Sequence, residues 1–139
     1  MYFKNDAEIS LLVRAFETCE LDPTNFRHYQ HLAVALWYLR HFPYAEASQK
    51  MCAGIKRLAA AHGKMGYHET ITLFWVQMVC SFEAKRDSSE TMCESANRLA
   101  AEFGNKNLVA EYYSEETLNS PRAKTEWVEP DLKLWSSIV

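Results

Sequence analysis

Glycine and proline are scarce in this chain, four of each in 139 residues. That is too few for the turns of a many-stranded sheet protein. Long apolar runs are missing as well: the longest, Leu32 to Leu39, is less than half of what a membrane-spanning helix needs. The opening residues Met1 to Glu20 are interrupted by Lys4, Asp6, Glu8, Arg14, Glu17 and Glu20, so they lack the unbroken apolar core of a secretory signal. Basic residues are outnumbered, 15 to 18 acidic for a net charge of -3, and no Lys/Arg run exceeds two, which removes nucleic acid from the expected partners. The four cysteines (Cys19, Cys52, Cys80, Cys93) form no CxxC pair and fall on separate predicted helices. They read as small buried hydrophobes of a reducing compartment, not as a disulfide framework or a thiolate metal site. The expectation is a soluble cytoplasmic protein with no membrane association.

What is present is helical periodicity. With 48% hydrophobic residues, 139 residues suffice for one domain around one core. The pattern predicts an all-α, single-domain bundle (1–139) of about five main helices, followed by short C-terminal helices and a wrapping tail. The first helix is expected from an Asp6 cap to about Glu20, with Ile9, Leu12, Val13, Phe16 and Cys19 inward. A second begins after Thr24/Asn25, carries His28, Leu32, Ala35 and Leu39, and stops at Phe42-Pro43. Pro43 serves as the first residue of a third helix, whose stripe Ala47, Met51, Ile55, Leu58 and His62 ends at Gly63.

The short loop Gly63 to Gly66 makes the third and fourth helices antiparallel neighbours. From Thr70 to Phe82 the fourth is apolar nearly all round, the pattern of a central helix. Asp87 and Glu90 have capping-box spacing at the head of a fifth helix that Gly104 closes. Beyond it the periodicity breaks into pieces: Asn107 to Tyr113, a turn near Ser114 to Asn119, and a helix capped by Ser120-Pro121. The tail 127–139 holds Trp127 and Trp135, which would be costly to expose, so it is expected to cover the bundle or a second subunit.

Histidines supply the one pattern that reaches beyond packing. His28 and His31 share a face at the start of the second helix, His62 ends the third, and His68 with Glu69 opens the fourth. In an up-down-up arrangement all of these meet at one end of the molecule. Positive helix dipoles disfavour imidazolium, so such histidines stay neutral and able to bind a metal or accept a proton. Thr72, one turn below His68, is placed to orient its ring.

Three readings follow from that cluster. Two or three imidazoles from among His28, His31, His62 and His68, with the one carboxylate of Glu69, match the ligand set of a non-haem iron, manganese or zinc site with an open position, although the Glu-x-x-His pairs of di-iron bundles are lacking. Alternatively His31 or His68 acts as a base that Glu69 orients, or the group hydrogen-bonds a small molecule in a pocket lined by Trp37, Tyr38, Tyr67, Thr72 and Trp75. The third reading is structural: each imidazole is satisfied by backbone carbonyls, Glu69 or His68 merely caps the fourth helix, and the apolar tail makes a homodimer or partner contact.

The runs His31-Leu32-x-x-Ala35-x-x-Tyr38-Leu39, Tyr67-His68-Glu69-Thr70-x-Thr72, Tyr113-Ser114-x-x-x-Leu118-x-Ser120 and Trp127-Val128-Glu129-Pro130-Asp131-Leu132 resemble a family of small uncharacterised all-helical bacterial proteins. The likeness covers most of the chain from Phe26 onward. It implies a bacterial, soluble, helical protein, and its emphasis on the positions of His31, His68, Glu69 and Thr72 implies a site there.

Overall fold

The computed structural model describes residues 2–134. Trp135 and the last residues of the expected tail, 135–139, lie outside the described residues. Every regular element among the described residues is a helix, and five of them are long: α1 (Asp6–Glu17), α2 (His28–His41), α3 (Tyr44–Ala61), α4 (Glu69–Ala84) and α5 (Met92–Phe103). Two short ones, α6 (Glu115–Leu118) and α7 (Pro121–Thr125), follow a 3-10 turn over Lys106–Glu111. None is long and apolar enough to cross a membrane.

Helix α1 starts one residue earlier than its sequence suggests, because Asn5 caps it by accepting from the Glu8 amide at 3.0 Å. Asp6 is thereby freed to accept from the Cys93 amide at 2.8 Å, which joins the heads of α1 and α5. The helix also stops short of Glu20: Cys19 takes a positive φ of 63°, and the amides of Glu20 and Leu21 fold back onto the Ala15 carbonyl. Ile9, Leu12, Val13 and Phe16 are buried as the periodicity predicts.

The central helix is α2 and not α4. Residues Leu32, Ala33, Val34, Ala35 and Leu36 are buried without interruption, and α1, α3, α4 and α5 all pack on α2. Small side chains at Ala33 and Ala35 let neighbours approach from every side, a property that mean apolarity does not register. Helix α4 is more apolar but packs mainly on α2, α3 and α7, leaving Ile71, Thr72, Leu73 and Trp75 partly exposed.

Pro43 caps α3 and is not its first residue. Gly54 lies in the interior of that helix because nothing larger fits: a Cβ there would stand 2.4 Å from Cε2 of Phe16, a fully buried ring wedged near Phe26 and Tyr38. Gly54→Ala is therefore expected to destabilise the protein by about 2 kcal/mol despite alanine's better helix propensity. Phe16→Leu in the same chain should recover part of the loss. Urea midpoints of the two single variants and the double variant measure the coupling, and purely additive costs would contradict the contact.

Helix α5 begins at the second of two successive capping patterns. Thr91 and Glu94 form the capping box, with the Glu94 amide on Thr91 Oγ1 at 3.1 Å and the Thr91 amide on Glu94 Oε1 at 2.9 Å. Asp87 instead closes a turn onto Ser89, and Glu90 pairs with Arg98 at 2.9 Å. A second ionic group ties α2, α4 and α5 together: Arg40 reaches both carboxylate oxygens of Glu83 at 2.7 Å and donates to the buried Ser95 hydroxyl at 2.8 Å.

The segment after α7 packs on the chain's own bundle. Buried Thr70 donates to the Glu126 carbonyl at 2.8 Å and accepts from the Val128 amide at 3.2 Å. The Tyr113 hydroxyl donates to the Val128 carbonyl at 2.6 Å, and Asp131 accepts from the Ser114 amide at 2.8 Å and from the Thr117 hydroxyl at 3.0 Å.

Candidate functional site

The head of α2, the head of α4 and the segment leaving α5 enclose a cleft of about 930 Å³. Of the residues singled out from the sequence, His28, His31, Tyr67, His68, Thr72 and Trp75 line it. The expectation that the second and fourth helices deliver imidazoles to one hollow is therefore met for these three histidines.

The remaining predicted members are placed elsewhere. His62 is the exposed C-cap of α3, and its Nε2 lies 2.9 Å from the Cys19 carbonyl in the α1–α2 connection. Tyr38 is seven residues beyond His31, about 10 Å along the helix, and its hydroxyl donates to Glu17 at 2.8 Å. Trp37 stacks on His41, ring centres 4.0 Å apart. Glu69 does not line the cleft: it accepts from the Tyr67 hydroxyl at 2.5 Å, with Lys56 3.9 Å away. Burial, together with the neighbouring Cys52 and Glu69, pushes the Tyr67 phenol up.

Each cleft histidine has a distinct environment. His28 opens α2, and its Nε2 lies 3.0 Å from the Phe103 carbonyl, so that nitrogen carries the hydrogen and Nδ1 keeps its lone pair. The centres of its ring and of Trp75 lie 4.5 Å apart in an edge-to-face arrangement, and burial lowers its proton affinity. His31 stacks on Phe26 at 3.8 Å, and burial followed by the neighbouring His28 brings its pKa down to about 4. His68 is the N-cap of α4: Nδ1 accepts from the Ile71 amide at 3.2 Å while Nε2 donates to the Leu118 carbonyl at 2.6 Å. Both of its nitrogens are committed to structure, so it contributes a ring edge to the cleft and no free base. Thr72 donates to the His68 carbonyl at 2.8 Å and so braces its backbone, not its ring.

This arrangement does not assemble the five-residue metal set. Among the described residues, no three His, Cys, Asp or Glu side chains come together where they could hold a metal ion. The physical reasons are those above: His62 is tied to Cys19, Glu69 is turned to Tyr67 and Lys56, and His68 has no nitrogen to spare.

The cleft also contains residues that the sequence did not assign to a site. Phe26, Arg27 and Tyr29 flank His28, and Lys106 enters from the turn after α5. Adjacency to His28 was the available signal for the first three. Lys106 gave none, since only the packing of the segment after Gly104 brings it there.

Comparison with protein-family models, with curated proteins and with solved structures finds no match to this chain.

Proposed function

We propose that this protein binds a small organic molecule in the cleft between the heads of α2 and α4, held by side chains rather than by a chelated metal. The observation that carries the reading is the lining itself. Two imidazoles with acceptor capacity, His28 and His31, stand among the aromatic rings of Phe26, Tyr29, Tyr67 and Trp75 in one concavity of about 930 Å³. Ligand sites of this kind, a mostly apolar wall with a few convergent polar groups, commonly enclose about 300–1,000 Å³.

Binding is favoured over general-base catalysis by the chemistry of the two rings. An effective base at neutral pH has a pKa near 7, whereas His31 is held at about 4. Glu69, the carboxylate expected to orient a base, is engaged by Tyr67 outside the cleft. His31 and His28 thus serve as hydrogen-bond acceptors for a ligand.

A titration followed by NMR tests this reading. The ring signals of His28, His31 and Trp75 are expected to move on addition of small hydroxylated aromatic probes, while His41 and His62, outside the cleft, stay fixed. Equal movement of all five, or of none, would refute it.

A further inference from the structure

We infer that the ligand is an aromatic or heteroaromatic acid that also carries an O–H or N–H group, its anionic end at Arg27 and Lys106 and its donor on the histidines. This inference rests on the binding function proposed above and names the class of molecule. Three observations carry it.

The first is the sign of the charge. The chain has 18 acidic and 15 basic side chains, yet no Asp or Glu is among the residues that line this cleft, whereas Arg27 and Lys106 are. A concavity lined by one sign of charge focuses the field and raises the local concentration of the opposite ion. The second is availability. Neither Arg27 nor Lys106 has an ion-pair partner among the described residues, unlike Arg40, Lys56, Arg86, Arg98, Arg122 and Lys133. Lys106 is also close enough to His28 to oppose its protonation, which places that cation's field inside the cleft.

The third is polarity inside the hollow. With Nε2–H of His28 on the Phe103 carbonyl, the remaining nitrogen is a lone pair. A lone pair repels a bare carboxylate and accepts from a hydroxyl or ring N–H. The acid therefore belongs with the cations and the donor with the imidazoles, so the ligand carries two chemically different polar groups. In the same lining the rings of Phe26, Tyr29 and Trp75 favour a flat body.

The probes that separate these requirements are 4-hydroxybenzoate, 4-hydroxyphenyl phosphate, 4-methoxybenzoate, 4-hydroxybenzamide and tyramine, titrated against the intact protein with the Trp75 indole signal as readout. At least one of the two hydroxylated anions is expected to bind about tenfold more tightly than the neutral amide, and to weaken as salt is raised. Which of them is preferred distinguishes carboxylate from phosphate. Methoxybenzoate, unable to donate, and tyramine, a cation, are expected to bind worst. In Arg27→Gln/Lys106→Gln, whose changes are at exposed positions, the anions should fall to the level of the amide, while Lys124→Gln, off the cleft, should leave them unchanged. If the amide or tyramine binds as well as the acids, or the double variant keeps their advantage, the acid inference is wrong although the binding site stands. If no probe moves the cleft signals, the binding reading falls and this inference with it.

Discussion

Arg40→Ala is expected to cost the fold about 3 kcal/mol, the largest effect of any single charge removal in this molecule. Arg40 grips both oxygens of Glu83 at 2.7 Å, and the two side chains retain only 15% and 14% of their exposure. Truncation leaves the Glu83 carboxylate mostly desolvated with Arg86 alone, at 3.2 Å, to balance it. It also removes a donor from Ser95, a fully buried residue whose hydroxyl already donates to Glu90 at 2.6 Å. An unpaired buried charge is the expensive outcome, whereas removing both partners together is mild. Arg40→Met/Glu83→Leu should therefore cost less than Arg40→Ala alone. Urea unfolding of the three proteins decides the matter. A loss for Arg40→Ala below about 1 kcal/mol, in the range of an exposed pair, would show that the group is solvated in solution.

That ionic group also shows where sequence reading reaches its limit. Periodicity located α1 through α5 because burying one face of a helix leaves a repeating trace: Ile9, Leu12, Val13 and Phe16 needed no three-dimensional knowledge. Capping chemistry was legible in kind but not in place, since Asp87/Glu90 and Thr91/Glu94 have the same spacing and only packing on α1, through Asp6 and the Cys93 amide, favours the second pair. His28, His31 and His68 could be brought together because each lies at a helix head. His62 could not be placed the same way. It extends the stripe of α3 on paper, but α3 ends at Ala61 and the α1–α2 connection passes beneath it, offering the Cys19 carbonyl. The histidines of the cleft are also more constrained than a spacing can reveal: a His-x-x-His pair says nothing of which nitrogen a distant carbonyl has taken.

Stability is expected to fall as the pH is lowered from about 6.5 to about 4, and His31 is the main reason. The unfolded chain carries this imidazole at its ordinary value of 6.5, while the folded chain holds it at about 4. Above the upper limit both states are neutral and the residue has no effect on pH dependence. Between the two values the unfolded state binds a proton that the folded state refuses, so each step down favours unfolding. At roughly 1.4 kcal/mol per pH unit the loss totals on the order of 3 kcal/mol, and His28, lowered in the same direction, adds to it. Carboxylates act in a lower window: Glu90, drawn down to about 2 by Arg98, gives up its contribution only as the pH falls below its ordinary 4.5. Urea midpoints measured between pH 6.5 and 5 thus report mainly the histidines. His31→Phe, which keeps a flat ring against Phe26, should remove about one proton from the slope there. An undiminished slope, or an NMR titration of His31 centred near 6.5, would mean that the ring is hydrated and charged in solution. The acceptor that the cleft offers a ligand depends on this same refusal of the proton, so the binding of 4-hydroxybenzoate and the acid limb of stability should respond together to His31→Phe.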